Sequence, residues 1–119
     1  PNPDAWIGPW GADTLLGIFA PIMAWLAWRG VGVRAWGVLI VYNAIGAFDY
    51  SHGLLTQWLE PTVTQSAALT YSSIVISLVV QLVVVFLLFH AEVVRSFVAD
   101  ARKADVLTEN PTIAKQLSN

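Results

Sequence analysis

Three long stretches of apolar residues, separated by two short polar segments, dominate the hydropathy pattern of this chain. They run from about residue 10 to 28, from 35 to 55 and from 67 to 89. Each has roughly the 20 residues that a helix needs to cross a bilayer core about 30 Å thick. An open strand would leave backbone groups unpaired in lipid, and the alternation typical of a membrane barrel is absent. The pattern predicts an all-α integral membrane protein with three transmembrane helices.

The polar segments predict where these helices end. Residues 29–34 contain two glycines and two arginines, which favours a tight turn, whereas residues 57–66 contain no basic residue. Polar residues then predominate towards the carboxyl end, and we divide the chain into a transmembrane domain, 1–98, and a cytoplasmic polar tail, 99–119. Residues 96–104 predict an extension of the third helix, which Asn110-Pro111 ends.

Composition and charge agree with this assignment and orient it. Hydrophobic residues make up 56% of the chain and charged residues 12%, against about a quarter charged in soluble domains. All the basic residues lie in the first connection or after the third stretch, so by the positive-inside rule both are cytoplasmic and the N-terminus faces outward. The tryptophans lie near the ends of the first two stretches, at Trp6, Trp10, Trp25, Trp28, Trp36 and Trp58. Because Trp prefers membrane interfaces, they favour the same topology.

The chain begins Pro1-Asn2-Pro3 rather than with Met. We expect an upstream segment, either a cleaved signal peptide or another span. We favour a preceding span, which would make a four-helix unit.

Several kinds of chemistry are excluded or disfavoured. The chain has no Cys, so it cannot hold an iron-sulfur cluster or a cysteine zinc site. No nucleotide-binding loop, nucleophile elbow or zinc-protease motif is present, and no basic cluster suits nucleic acid. We predict no metal site. The absence of motifs favours a role other than catalysis, although membrane enzymes often scatter their sites over several helices.

Ionisable residues inside the apolar stretches are the main functional clues, because such groups are costly in lipid unless paired or hydrated. Asp13, Asp49 and His52 all fall towards the outer side, and the spacing of Asp49 and His52 allows contact on one helix. We predict an outer-leaflet polar pocket that also contains Tyr71 and Ser73. Two alternatives remain open: Asp13 is an N-cap of the first helix, and Asp49 with His52 forms a polar clamp without ligand chemistry.

Two further patterns have a structural and a functional interpretation. Residues Thr70, Ser73, Ser77 and Gln81 recur at helical spacing, and we interpret them as a helix-packing stripe. His52 and His90 are candidate axial ligands for haem or a pigment. Since they fall near opposite faces of the membrane, they cannot clamp one haem, and an interfacial role for His90 is favoured.

Two strings resemble a loosely defined group of small uncharacterised bacterial multi-span membrane proteins. They are residues 11–21, which contain Gly-Ala-Asp and Ala-Pro, and residues 43–49, which contain Asn-x-x-Gly-x-x-Asp. The pattern of the group is roughly Gly-x-Gly-Asp, then Ala-Pro, then Trp-Asn-x-x-Gly-x-x-Asp. This chain differs from it at two positions, with Ala12 in place of the second glycine and Tyr42 in place of the tryptophan. The resemblance implies a bacterial inner-membrane location and adds Asn43 to Asp13 and Asp49 as a recurring set, but it implies no activity.

Three functional hypotheses follow. The leading one is an accessory or structural subunit that packs against other membrane subunits or against copies of itself, because three short spans make a poor pore. The second is a small proton-coupled transporter that uses Asp13, Asp49 and His52. The third is a cofactor-bearing subunit of an oxidoreductase, with haem, a pigment or a quinone as the cofactor.

Overall fold

The computed structural model describes residues 2–30, 32–62, 66–110 and 115–116. A short 3-10 turn, Pro3–Trp6, leads into four α-helices. These are α1 (Ile7–Arg29), α2 (Gly32–Leu59), α3 (Ala67–Leu88) and α4 (Ala91–Glu109). No strand occurs among the described residues, so the all-α prediction is confirmed for them. The predicted segment upstream of Pro1 lies outside the described residues.

Two regions of the described chain are long and apolar enough to cross a membrane. They are Asp4–Arg29, which includes α1, and Ala67–Leu88, which is α3. The intervening helix α2 is longer, at 28 residues, but polar residues interrupt its apolar character. A membrane crossing by α2 and the predicted topology therefore stay predictions.

Helix α2 is the central element of the bundle. Helices α1 and α3 each run antiparallel to α2 and pack against it, whereas α1 and α3 do not contact each other in the described chain. The molecule is elongated, with principal extents of 67 × 25 × 19 Å. A three-helix arrangement of this kind leaves an open cleft between its two outer helices.

Glycine is required in the turn between α1 and α2. A Cβ on Gly30 would overlap the backbone carbonyl oxygen of Leu26 and lie 2.8 Å from the Cβ of Ala35. Gly32 has φ of 88°, in the left-handed region that disfavours side chains. The tight glycine turn predicted between the first two helices therefore has a steric basis at both glycines.

The α2–α3 pair packs closely along a face with coiled-coil-like spacing. Buried positions of α2 recur every three or four residues from Ala35 to Thr56. A Cβ on Gly46 would lie 2.8 Å from the amide nitrogen of Gln81, and one on Gly53 would lie 3.9 Å from Ile74. Small residues on α2 thus let α3 approach its backbone.

The distribution of polar and apolar side chains is opposite to that of a water-soluble domain. The side chain with the least exposure is Gln57, at 0%. Large apolar side chains such as Phe48, Trp28 and Phe86 are more than two-thirds exposed. The buried polar residues are Asn43, Asp49, Thr56, Gln57 and Thr70. Polar groups thus occupy much of the limited interior, and apolar groups cover the outside.

The expected extension of the third helix through residues 96–104 is wrong. Helix α3 ends at Leu88, and α4 begins at Ala91 after His90 adopts an extended conformation, with φ of −64° and ψ of 135°. The half-buried face of α4 packs on α2 near Gly32, whose added Cβ would lie 3.5 Å from Ala101. This packing redirects the chain, and α4 crosses the predicted domain boundary at residue 98. Its end at Glu109 agrees with the predicted break at Asn110.

Candidate functional site

A polar cavity of about 280 Å³ lies in the cleft between α1 and α3, with α2 as its floor. Each of the three helices contributes to the wall, and Thr62 from the connection after α2 also lines it. The residues with polar or aromatic groups that line it include Trp6, Trp10, Asp13, Asp49, Tyr50 and Ser73. Three of the predicted pocket residues, Asp13, Asp49 and Ser73, are therefore brought together here.

Asp13 enters the cavity from the second turn of α1. Its Oδ1 accepts a hydrogen bond of 2.8 Å from the Tyr50 hydroxyl, which links α1 to α2. The alternative of Asp13 as an N-cap is wrong, because α1 begins at Ile7 after Trp6. The early start follows from the packing of Trp6, whose Nε1 donates to the carbonyl of Glu60 over 2.9 Å.

Asp49 is the buried carboxylate of the cavity. Its residue is 8% exposed, and within the described chain no donor forms a hydrogen bond to it. Asp13 lies close enough for the charges of the two carboxylates to interact. Repulsion between like charges in a confined site raises the free energy of the doubly ionised state.

His52 does not line the cavity, and its side chain is exposed. Gly46 faces α3, and Asp49 and His52 follow it at intervals of three residues. Each interval of three residues rotates the side-chain direction by about 60° around the helix, so His52 points about 120° away from the direction of Gly46. The buried face continues through Gly53 and Thr56 instead. No hydrogen bond or ion pair joins the described side chains of Asp49 and His52. The structure therefore lacks the direct clamp.

Asn43 and Tyr71 also lie outside the cavity. Asn43 is buried, and its Nδ2 donates to the Leu39 carbonyl one turn earlier, at 2.7 Å. Tyr71 is half-buried and contributes no atom to the cavity wall. These two residues thus stay apart from the carboxylate pair.

The stripe Thr70, Ser73, Ser77 and Gln81 divides between two locations. Thr70, Ser73 and Ser77 line the cavity, and the hydroxyls of Thr70 and Ser73 donate to carbonyls of their own helical turn or its cap. Ser77 also lies beside the Tyr50 hydroxyl. Gln81 packs against Gly46, and its buried Oε1 has no hydrogen-bond partner. Close packing is thus evident at Gln81.

His90 lies at the opposite end of the bundle from the cavity, where it is the exposed N-cap residue of α4. The Trp36 indole, at the start of α2, donates to the Leu88 carbonyl at this end, over 2.7 Å. His52 and His90 are thus separated by most of the length of α3, as the sequence predicts.

Three aromatic residues of the site were not predicted. Tyr50 bridges to Asp13, and the Trp6 and Trp10 rings, with centroids 6.2 Å apart, form an apolar wall. The position of Tyr50, next to Asp49 and four residues after Gly46, was an available signal. For Trp6, no sequence pattern indicates its contact with Glu60, which is 54 residues away.

Comparison of the chain with models of known protein families, with curated proteins and with solved structures finds no match in any of the three. The resemblance carried by residues 11–21 and 43–49 therefore stays a prediction.

Proposed function

We propose that this chain is a multi-pass protein of the bacterial inner membrane that serves as an accessory or structural subunit and packs against other membrane helices. The observation that carries the proposal is the open cleft, since α1 and α3 both pack on α2 but not on each other. A further helix packed across the mouth of the cleft would cover polar groups that otherwise face lipid.

The proposal that α2 crosses the membrane is supported by which of its side chains face inward and which face outward. Its polar residues Asn43, Asp49 and Gln57 are buried. Large exposed residues on the same helix are mainly apolar, and they include Val38, Val41, Ile45, Phe48 and Leu55. Since lipid contacts only the outward face, α2 is compatible with a bilayer despite its polar interior face. Its 28 residues correspond to about 42 Å of helix, more than a bilayer core requires.

Charge separation supports the proposed orientation. One end of the bundle, which we name the acidic end, contains Asp4, Asp13, Asp49 and Glu60 and no Lys or Arg. The basic end contains the connection with Arg29 and Arg34 and the start of α4. With the basic end in the cytoplasm, the N-terminus and the connection after α2 face outward.

Orientation is testable because the chain has no natural Cys. Thr62→Cys and Ser96→Cys variants would each carry one thiol, near opposite ends of the bundle. An impermeant maleimide added to intact cells should label Thr62→Cys, and Ser96→Cys only after the membrane is opened. Equal labelling of both in intact cells would contradict the topology.

Assembly is testable by cross-linking from two faces of α3. Ser73 lines the cleft, whereas Val79 is 52% exposed and lies about 120° around the helix from Ser73. In native membranes, a Ser73→Cys variant modified with a benzophenone maleimide and irradiated should give one defined larger species, and Val79→Cys should give none. Mass spectrometry would identify that species as a second copy or another subunit. A monomeric mass for both variants, together with a monomer in mild detergent, would contradict the proposal.

The transporter and cofactor hypotheses receive less support from the geometry. His52 lies outside the cavity, so a relay of Asp13, Asp49 and His52 would have to leave it. Neither His52 nor His90 lines the cavity as a candidate ligand.

A further inference from the structure

The cavity combines two carboxylates with a complete lack of nearby Lys or Arg. No basic residue occurs in residues 1–28 or 35–94 of the chain. The acidic end therefore has a net negative charge, which attracts cations to it. His52 is the nearest titratable nitrogen, and its exposed side chain does not reach into the cavity.

Asp49 is the buried ionisable group of the cavity that lacks a hydrogen-bond partner. It is more than nine-tenths buried, it lines the cavity, and no donor among the described residues hydrogen-bonds to it. An ionised carboxylate that loses water without gaining a partner is strongly destabilised. Asp13 has only the Tyr50 hydroxyl as a donor in the described chain. A positively charged ligand would stabilise both carboxylates.

The aromatic wall indicates which kind of cation fits. Trp6 and Trp10 line the cavity beside Asp13, and Tyr50 lies opposite them on α2. Indole rings attract alkylammonium groups through cation–π interaction and contact their methyl groups favourably. A volume of about 280 Å³ is at the small end of ligand sites, so a compact ligand is expected.

A metal ion fits the site less well. Calcium takes six to eight oxygen ligands, and magnesium demands near-ideal octahedral geometry. Over the described part of the chain, no group of three acidic or histidine residues is arranged to hold a metal. Two carboxylates beside aromatic rings instead match a cation with an apolar body.

We propose that this cavity binds a small organic ammonium cation, with Asp49 and Asp13 as its counter-ions and the Trp6 and Trp10 rings as its apolar wall. All the residues that line the cavity belong to one copy of the chain, so the cation occupies the floor of the cleft and binding does not require the helix proposed above to cover its mouth.

The test uses choline and its uncharged isostere 3,3-dimethyl-1-butanol, which has the same shape with carbon in place of nitrogen. The full chain in lipid nanodiscs is titrated by calorimetry, with tryptophan fluorescence as a second readout. Choline should bind with one-to-one stoichiometry, and the isostere at least tenfold more weakly. Equal affinity for the two compounds, or no choline binding, would overturn the proposal without any variant.

Variants then locate the site. Asp49→Asn should weaken choline binding at least tenfold, and Asp13→Asn should weaken it severalfold. The matched control is Asp4→Asn, an acid-to-amide change at the same end but outside the cavity, which should leave the dissociation constant unchanged. Helical content and melting temperature establish that each variant is folded. Unchanged binding by folded Asp49→Asn, or Asp49-dependent binding of calcium but not choline, would contradict the assignment.

Discussion

The two sides of α2 are packed by different means. Towards α3, Gly46 and Gly53 have no side chain, so the Gln81 and Ile74 side chains of α3 lie against the backbone of α2. Towards α1, the tyrosine hydroxyls of α2 reach across, and Tyr42 donates to the Leu16 carbonyl over 2.7 Å. The α2–α3 interface thus depends on glycines of α2, whereas the α1–α2 interface depends on its long tyrosine side chains.

This difference explains where the cavity forms. A helix held through long phenol groups leaves more space beside its neighbour than one whose side chains pack directly on glycines, and the remaining space lies beside Tyr50. The glycines of α1 do not close the gap, since a Cβ on Gly11 or Gly17 would meet nothing within 4 Å. We therefore expect the α2–α3 pair to be the more stable unit and α1 to be the more easily displaced helix.

The largest expected effect comes from filling the close interface. Gly46→Leu should destabilise the fold by about 1 to 3 kcal/mol, because a Leu side chain there would overlap Gln81. Thermal unfolding in mild detergent, followed by circular dichroism, measures the change. Adding Gln81→Ala should recover part of the loss. An unchanged unfolding temperature for Gly46→Leu would contradict close packing at this point.

A smaller effect is expected on the α1 side. Tyr42→Phe combined with Tyr50→Phe removes two hydrogen bonds to α1, at about 1 kcal/mol each. Hydrogen exchange should accelerate in α1 more than in α3. Tyr71→Phe is the matched control, because in the described structure the Tyr71 hydroxyl forms no hydrogen bond. Equal acceleration in both helices would show that α1 is not separately held.

The N-terminal contact should contribute less than the tyrosine pair. Trp6→Phe keeps an aromatic ring but removes the hydrogen bond to the Glu60 carbonyl, which should cost about 1 kcal/mol. Trp58→Phe serves as the control, since Trp58 is 75% exposed. Urea unfolding in mild detergent compares the two, and equal losses of stability would argue against a specific role for Trp6.

The smallest effect is expected on the open face of α1. Gly17→Leu should change stability by no more than about 0.5 kcal/mol in detergent, because its added side chain meets open space. The same circular dichroism melt used for Gly46→Leu applies. A loss as large as that of Gly46→Leu would mean that α1 packs on both faces within a single chain.

The sequence predicted the helices better than it predicted the site. Long apolar stretches require little beyond local hydropathy, so α1 and α3 agree closely with the stretches at 10–28 and 67–89. The break at His90 depends instead on α4 packing against α2, and no Pro or Gly marks it. The apolar positions at 93, 94, 97 and 98 do repeat on one helical face, which was a usable signal for a separate amphipathic helix.

The cavity shows the corresponding limit for side chains. Asp13, Asp49 and Ser73 could be grouped because each falls towards the same end of its helix. His52 was placed with them on spacing alone. Positions that repeat every three residues do not stay on one face of a helix, because each interval falls about 60° short of a full turn. Tyr50 and Trp6 depend on contacts between distant segments, which hydropathy does not encode.

The outward apolar surface reverses the usual expectation for mutational tolerance. In a water-soluble protein, an exposed Phe can be replaced by Ser with little penalty, whereas a buried Asn or Gln is unusual. On the membrane assignment proposed above, we expect a serine in place of Phe48 or Phe86 to reduce the affinity of the chain for lipid, whereas alanine in place of Gln57 would remove an amide from the interior. Conventional solubilising substitutions of the exterior would therefore impair insertion into a bilayer.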